Sequence, residues 1–130
     1  MEKMSNPSGK LYGIQILIAE DEDATYRLTE RILHKEGAQC LRANNGVEAV
    51  EIALGHPDIP IILMDIKMPV MNGVAATRSI KAHMPHIKIV ATSAFAMPGD
   101  QKVYEDAGCD DFILKPIDAT ALVDVILAHL

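Results

Sequence analysis

Five short apolar runs alternate with five helix-forming stretches along this chain, and that alternation constrains the fold most. The runs lie at residues 14–19, 39–43, 61–65, 87–92 and 110–114. Each is too short for a helix, and each reads as a strand. The runs at 14–19 and 61–65 are almost continuously apolar, as strands buried on both faces are. Helical spacing separates them. Ala24, Leu28 and Ile32 recur at i, i+4, i+8, with Leu33 beside them, and Val47, Val50 and Leu54 share a face. Ala76, Ile80 and Met84 form the third stripe, Val103 and Ala107 the fourth, and Val123, Ile126, Leu127 and Leu130 the last. Asp23 and Asp118 suit N-caps, Gly37 a C′ position, and Pro98 a first helical turn. Short connections and strict β–α alternation predict a doubly wound (βα)5 protein, with a five-stranded parallel sheet covered by helices on both faces.

Size and composition agree with one domain. The chain has 130 residues, 49% hydrophobic and only 4% aromatic with no Trp, so the core must be aliphatic. We expect residues 1–13, polar and without the apolar centre of a signal peptide, to form a loose tail before a domain at 14–130. A net charge of −6 argues against direct nucleic-acid binding. No apolar run reaches the length of a membrane span. Cys40 and Cys109, far apart, fit thiols in a reducing compartment, and a cytoplasmic location is expected.

In a parallel sheet all strand C-termini share one edge, where ligands bind in open α/β folds. Glu20 and Asp21 follow the first run, Asp65 ends the third, Ser93 follows the fourth and Lys115 follows the fifth. Taken singly, each has a plain reading: Asp65 as a turn cap, residues 20–23 as a solvated acidic loop, Ser93 as a turn residue, Lys115 as a surface lysine. Their convergence suggests a site. Clustered carboxylates repel one another, and a hard divalent cation such as Mg²⁺ resolves the conflict. Asp21 and Asp65 are natural direct ligands, and Glu20 could act through water. With Ser93 as hydroxyl donor and Lys115 as compact charge, the set suits phosphoryl transfer onto Asp65.

The motifs at residues 16–21, 61–73, 91–94 and 111–116, in this order and spacing, resemble the receiver domain of two-component response regulators over about residues 14–130. The resemblance implies a flavodoxin-like sheet of order 2-1-3-4-5 and a phosphoryl group accepted on Asp65 from a phosphohistidine of a histidine kinase or histidine phosphotransfer protein. It implies Mg²⁺, with Mn²⁺ as a substitute, held by Glu20, Asp21, Asp65 and the backbone carbonyl of Lys67. Ser93 would bond the phosphoryl group, Lys115 would pair with it, and the bond to Pro116 would be cis. Catalysis would be confined to the protein's own phosphorylation and dephosphorylation. Phe112 stands at the switch position, often Tyr in relatives, so any bond that needs a phenol there is absent. Lys67 and Phe95, each two residues beyond a site residue, imply slow self-dephosphorylation. The stretch 94–100 resembles receivers of hybrid histidine kinases, so a stand-alone regulator and an excised module both fit.

Rival readings meet specific obstacles. A flavodoxin-like cofactor protein needs a phosphate cradle where residues 20–23 are all acidic. An aspartate-nucleophile phosphatase usually carries an acid where this chain has Lys67. A degenerate receiver would have lost Asp65, Ser93 or Lys115. Little beyond one helix follows Pro116, so output is expected through a protein contact on the fourth helix, fifth strand and fifth helix. In that last helix Leu122, Val125 and Ile126 are either a face for a second copy or partner, or part of the domain's own core.

Overall fold

A computed structural model describes residues 8–94 and 97–130. The order is β1 (Gln15–Ala19), α1 (Asp23–Lys35), β2 (Gln39–Ala43), α2 (Gly46–Gly55), β3 (Ile61–Asp65), α3 (Gly73–His83), β4 (Lys88–Ser93), α4 (Asp100–Ala107), β5 (Asp111–Leu114) and α5 (Ala119–Ala128). All strand pairs are parallel, and the sheet order is β2-β1-β3-β4-β5. The chain is thus a flavodoxin-like α/β protein. Among the described residues no helix is long and apolar enough to cross a membrane.

Strand periodicity divides the core in two. Leu17, Ile62, Met64, Ile89 and Ala91 face α2, α3 and α4. Ile16, Ile18, Ile61, Leu63, Val90 and Ile113 face α1 and α5, meeting Leu33, Leu122 and Ile126. Each such Leu or Ile, fully removed from water, contributes about 1.5–3 kcal/mol. All five residues of β3 are buried, as its unbroken apolar run requires.

Several helix faces differ from the expected stripes. In α2, Ala49 and Ala53 are fully buried, whereas Val47 and Leu54 are exposed. The helix sits too close to its neighbours for large side chains. At its start Gly46 leaves no room for a Cβ, which would lie 2.2 Å from the Met71 carbonyl oxygen. In α1 the inward residues are Thr29 and Leu33, and Leu28 is exposed. Asp23 does not cap α1. Glu22 holds the N-cap position, and Asp23 pairs instead with Arg42 at 2.8 Å. Pro98 lies in the turn before α4, which opens after a left-handed Gly99 (φ 91°). In α4 Tyr104 and Ala107 face inward and Val103 outward.

α5 also corrects an expectation. Leu122 and Ile126 are fully buried against β5 and α1, so they belong to the domain's own core and offer no face to a second copy. Leu127 and Leu130, assigned to the core stripe, are exposed. Asp118 does cap α5, accepting from the Ala121 N–H at 2.9 Å.

Residues 8–13 of the expected tail pack onto the domain. Leu11 is fully buried, its N–H donates to the Glu36 carbonyl at 2.8 Å, and the Lys10 N–H reaches Glu36 Oε1 at 3.1 Å. Gly9 lies so close to the Glu36 backbone that a Cβ there would collide with it. One Leu among polar residues carries no periodicity, which is why this closure is invisible to a pattern argument. Residues 1–7 of that stretch lie outside the described residues. Cys40 and Cys109 are both free thiols. Burial pushes the Cys40 thiol up to about 12, with the Glu30 charge adding to it.

Candidate functional site

The carboxyl edge of the sheet is built from strand ends held by main-chain bonds. The Glu20 N–H donates to the Ala43 carbonyl at 3.0 Å, and the Ile66 N–H to Thr92 at 3.1 Å. The Lys115 N–H donates to the Ser93 carbonyl at 2.7 Å. These bonds fix the residues following β1, β3 and β5 against their neighbours. The loop after β3 folds back on itself, with the Gly73 N–H donating to the Ile66 carbonyl at 2.9 Å. A Cβ at Gly73 would lie 2.3 Å from the Asp65 carbonyl oxygen, so only glycine permits that approach. The same loop carries Val70 at φ 69°, a strained conformation for a β-branched residue.

Glu20, Asp21 and Asp65 each offer a carboxylate oxygen, and these oxygens lie within 4.8 Å of one another. Glu20 and Asp65 are 3% and 5% exposed, while Asp21 faces solvent. Lys115 Nζ sits 2.7 Å from Glu20 Oε1 and 3.5 Å from Asp65 Oδ1. The Lys67 N–H reaches Asp65 Oδ1 at 3.3 Å, and the Lys115–Pro116 peptide is cis.

The electrostatics follow from this crowding. Burial, and then the Glu20 charge, raise the Asp65 carboxyl to about 7 against the opposing pull of Lys115. For Lys115, burial pulls the pKa down. The hydrogen bond to Glu20 and the charges of Asp65 and Glu20 outweigh it, so the lysine is held above its ordinary value. Three acids against one ammonium leave the site negative. Its donors are all oxygens, and that chemistry fits a hard divalent cation.

Arg42, on edge strand β2, braces the acidic loop. Its Nε and Nη2 both donate to the Glu20 carbonyl at 3.1 Å, its guanidinium pairs with Asp23, and it lies 4.5 Å over the Tyr26 ring. The role crosses from β2 to β1, and nothing local in the sequence marks it.

Ser93 is 4% exposed at the end of β4. A phenol does reach it, contrary to what Phe112 alone suggests, because α4 supplies one. Tyr104 Oη donates to Ser93 Oγ at 3.4 Å in a buried setting. The Tyr104 ring meets Phe112 edge-on, with centroids 6.4 Å apart and planes at 69°. Phe112 itself is half-buried. Lys67, Ser93, Met97, Asp100 and Tyr104 line a cleft at this edge. The sequence argument missed Tyr104; the signal available was its i, i+3 spacing to Ala107. Phe95 lies outside the described residues.

The sheet order, the helices on both faces and the acidic carboxyl edge define the class: a flavodoxin-like α/β protein of the signal-receiver type. The chain belongs to the response regulator receiver domain family, whose model matches residues 16–127. It is therefore a receiver domain of two-component signalling. It is similar to the polar-differentiation response regulator DivK of Brucella anthropi, 34% identical over 118 residues, covering 88% of this chain and 94% of that protein. Its structure resembles the receiver domain of a sensor histidine kinase from Pseudomonas aeruginosa PAO1, which has a magnesium ion coordinated in its active-site cleft. That match has 30% identity and TM-score 0.81, and covers 90% of this chain and 97% of that one. It also resembles the complex of the Saccharomyces cerevisiae histidine phosphotransfer protein Ypd1 with the receiver domain of the response regulator Ssk1. The identity there is 27% and the TM-score 0.85, covering 92% and 90% of the two chains.

Proposed function

We propose that Asp65 accepts a phosphoryl group from a phosphohistidine of a histidine kinase or histidine phosphotransfer protein. The observation that carries this reading is the placement of Asp65: a buried carboxylate with Lys115 at 3.5 Å and two further acids within 4.8 Å. In the transfer, an Asp65 carboxylate oxygen forms the new P–O bond as the donor's P–N bond breaks, and the imidazole departs. Glu20, Asp21 and Asp65 would hold Mg²⁺, with the Lys67 carbonyl as a further ligand. When bound, the ion offsets charge on the phosphoryl oxygens. Lys115 exchanges part of its pairing with Glu20 for the incoming phosphoryl oxygens, and the Ser93 hydroxyl donates to another of them. The protein thereby catalyses its own phosphorylation, and later its own dephosphorylation, in which water takes the phosphoryl group as inorganic phosphate and Asp65 is restored.

Phosphorylation then shifts Ser93 and Phe112 and so alters the surface of α4, β5 and α5, which a downstream protein reads. The Ypd1–Ssk1 complex supports a phosphotransfer protein as donor, by analogy. The net charge of −6 favours a protein target over nucleic acid, and a cytoplasmic setting goes with that signalling role. The test is incubation with phosphoramidate, whose P–N bond mimics phosphohistidine. One phosphoryl group should be added in the presence of Mg²⁺ and none after chelation. Labelling that ignores chelation would contradict the reading.

A further inference from the structure

We propose that Thr92 is a positioning residue for Lys115: its hydroxyl oxygen accepts from the lysine ammonium when Lys115 turns from Glu20 to a phosphoryl group on Asp65. The inference rests on the phosphoacceptor reading above.

Strand periodicity places the two side chains together. Leu63 of β3, Val90 of β4 and Ile113 of β5 face the same half of the core. Two residues further on, Asp65, Thr92 and Lys115 keep that face, because side chains alternate along a strand. Asp65 and Thr92 are direct partners in the parallel register, as are Thr92 and Ile113. β4 lies between β5 and the strands that lead to Asp65 and Glu20. The Lys115 stem therefore crosses the end of β4, on the face that holds Thr92, to bring Nζ within 2.7 Å of Glu20 and 3.5 Å of Asp65.

The hydroxyl of Thr92 is what packing does not explain. Thr92 is 4% exposed. The other buried polar residues among those described, Glu20, Thr29, Asp65, Thr77 and Ser93, each have a side-chain hydrogen bond. Thr92 has none among the described residues. No side-chain oxygen among them is both sealed from solvent and unbonded, so the Thr92 hydroxyl keeps an opening, and its place near the end of β4 puts that opening at the carboxyl edge. Valine has the same shape and no hydroxyl to desolvate.

An ammonium has three protons to give and no lone pair. In Lys115 one is bonded to Glu20 and another faces Asp65, which leaves a third. Between lysine and threonine the direction is fixed by chemistry: the ammonium donates and the hydroxyl oxygen accepts. As Lys115 gives up Glu20 for a phosphoryl oxygen, the Thr92 oxygen beside its stem holds the ammonium over Asp65. The charge that the phosphoryl group meets is thereby set in place beforehand.

The test compares phosphorylation rates with acetyl phosphate and Mg²⁺, read by intact mass, with urea unfolding of the same variants. Thr92→Val keeps the shape and removes the hydroxyl. It should slow labelling about 10-fold, the low end for a hydrogen bond to a charged group, with no loss of stability. Thr92→Ser loses a methyl instead. It should be less stable than wild type yet recover most of the rate. Rate then follows the hydroxyl and stability follows the methyl, two opposite orders that a packing role does not produce. Labelling of Thr92→Val at the wild-type rate, a slow rate that comes with lost stability, or a Thr92→Ser protein as slow as Thr92→Val overturns the proposal and leaves the phosphoacceptor reading intact. An unlabelled wild-type protein overturns both.

Discussion

Lys115 is bonded more closely to Glu20, at 2.7 Å, than to Asp65, at 3.5 Å. The lysine thus holds one member of the acidic trio tightly and stands near the other. It neutralises a buried carboxylate, and under the proposed phosphorylation of Asp65 it would have a phosphoryl oxygen to turn to. Lys115→Met should therefore act in two ways. It leaves Glu20 and Asp65 without their cation and should cost about 2–3 kcal/mol in urea unfolding without metal, at the low side because the site opens to water. Added Mg²⁺ should recover part of that loss. Unchanged stability would mean that the ion pair contributes nothing.

The raised Asp65 carboxyl makes a signed prediction about pH. In the native state it titrates near 7, against 3.8 ordinarily. The folded protein then holds a proton that the unfolded chain has released, so the stability that this group contributes is full below 3.8 and is lost as pH rises toward 7. Across that window Asp65→Asn should gain relative to wild type by on the order of a few kcal/mol without metal. Mg²⁺ needs the carboxylate deprotonated, so its stabilising effect on wild type should grow over the same interval. Thermal melts from acid to neutral pH, with and without Mg²⁺, check both slopes.

Gly73→Ala should disturb the site without touching its chemistry. The added methyl would meet the Asp65 carbonyl oxygen at 2.3 Å. We expect a loss of about 1–3 kcal/mol and slower phosphorylation. Gly55→Ala is the control, because nothing lies within 4 Å of a Cβ there. At the end of α2 it should be neutral or stabilise by up to about 1 kcal/mol. Equal effects at the two positions would refute the close-approach argument.

Arg42→Lys keeps the charge but lacks the planar fork by which Nε and Nη2 converge on the Glu20 carbonyl oxygen. Titration calorimetry should show Mg²⁺ affinity reduced about 3- to 10-fold, as the acidic loop loses its brace. Wild-type affinity in this variant would show that the loop holds its shape alone.

Lys67 is exposed at the cleft that Ser93 and Tyr104 line. A lysine over the phosphoryl group shields it from water. Lys67→Ala should speed decay of the phosphorylated protein several-fold, and Phe95→Ala should do the same if that ring excludes water. Decay that neither substitution alters would reject slow self-dephosphorylation by this means.

The strands were legible because each is a short, dense apolar run, and parallel pairing then carried Glu20, Asp21, Asp65 and Lys115 to one edge. The inward helix faces were less so. Hydrophobic spacing favoured Val47 and Leu54, but close packing of α2 selected Ala49 and Ala53. In α5 the stripe rightly included Ile126 but also took in Leu127, which is exposed, while Leu122, left open between core and outer face, is fully buried. Leu11 closes the core from a polar stretch that shows no period. Arg42 reaches Glu20 from the neighbouring strand and Tyr104 reaches Ser93 from the following helix; spacing marks Tyr104 as inward-facing, but only three-dimensional placement shows what either side chain bonds.

The most direct measurement is the intact mass of the protein after incubation with acetyl phosphate and Mg²⁺. The account predicts one added phosphoryl group on wild type and none on Asp65→Asn. Undiminished labelling of Asp65→Asn would contradict it, because the acceptor would then be some other residue.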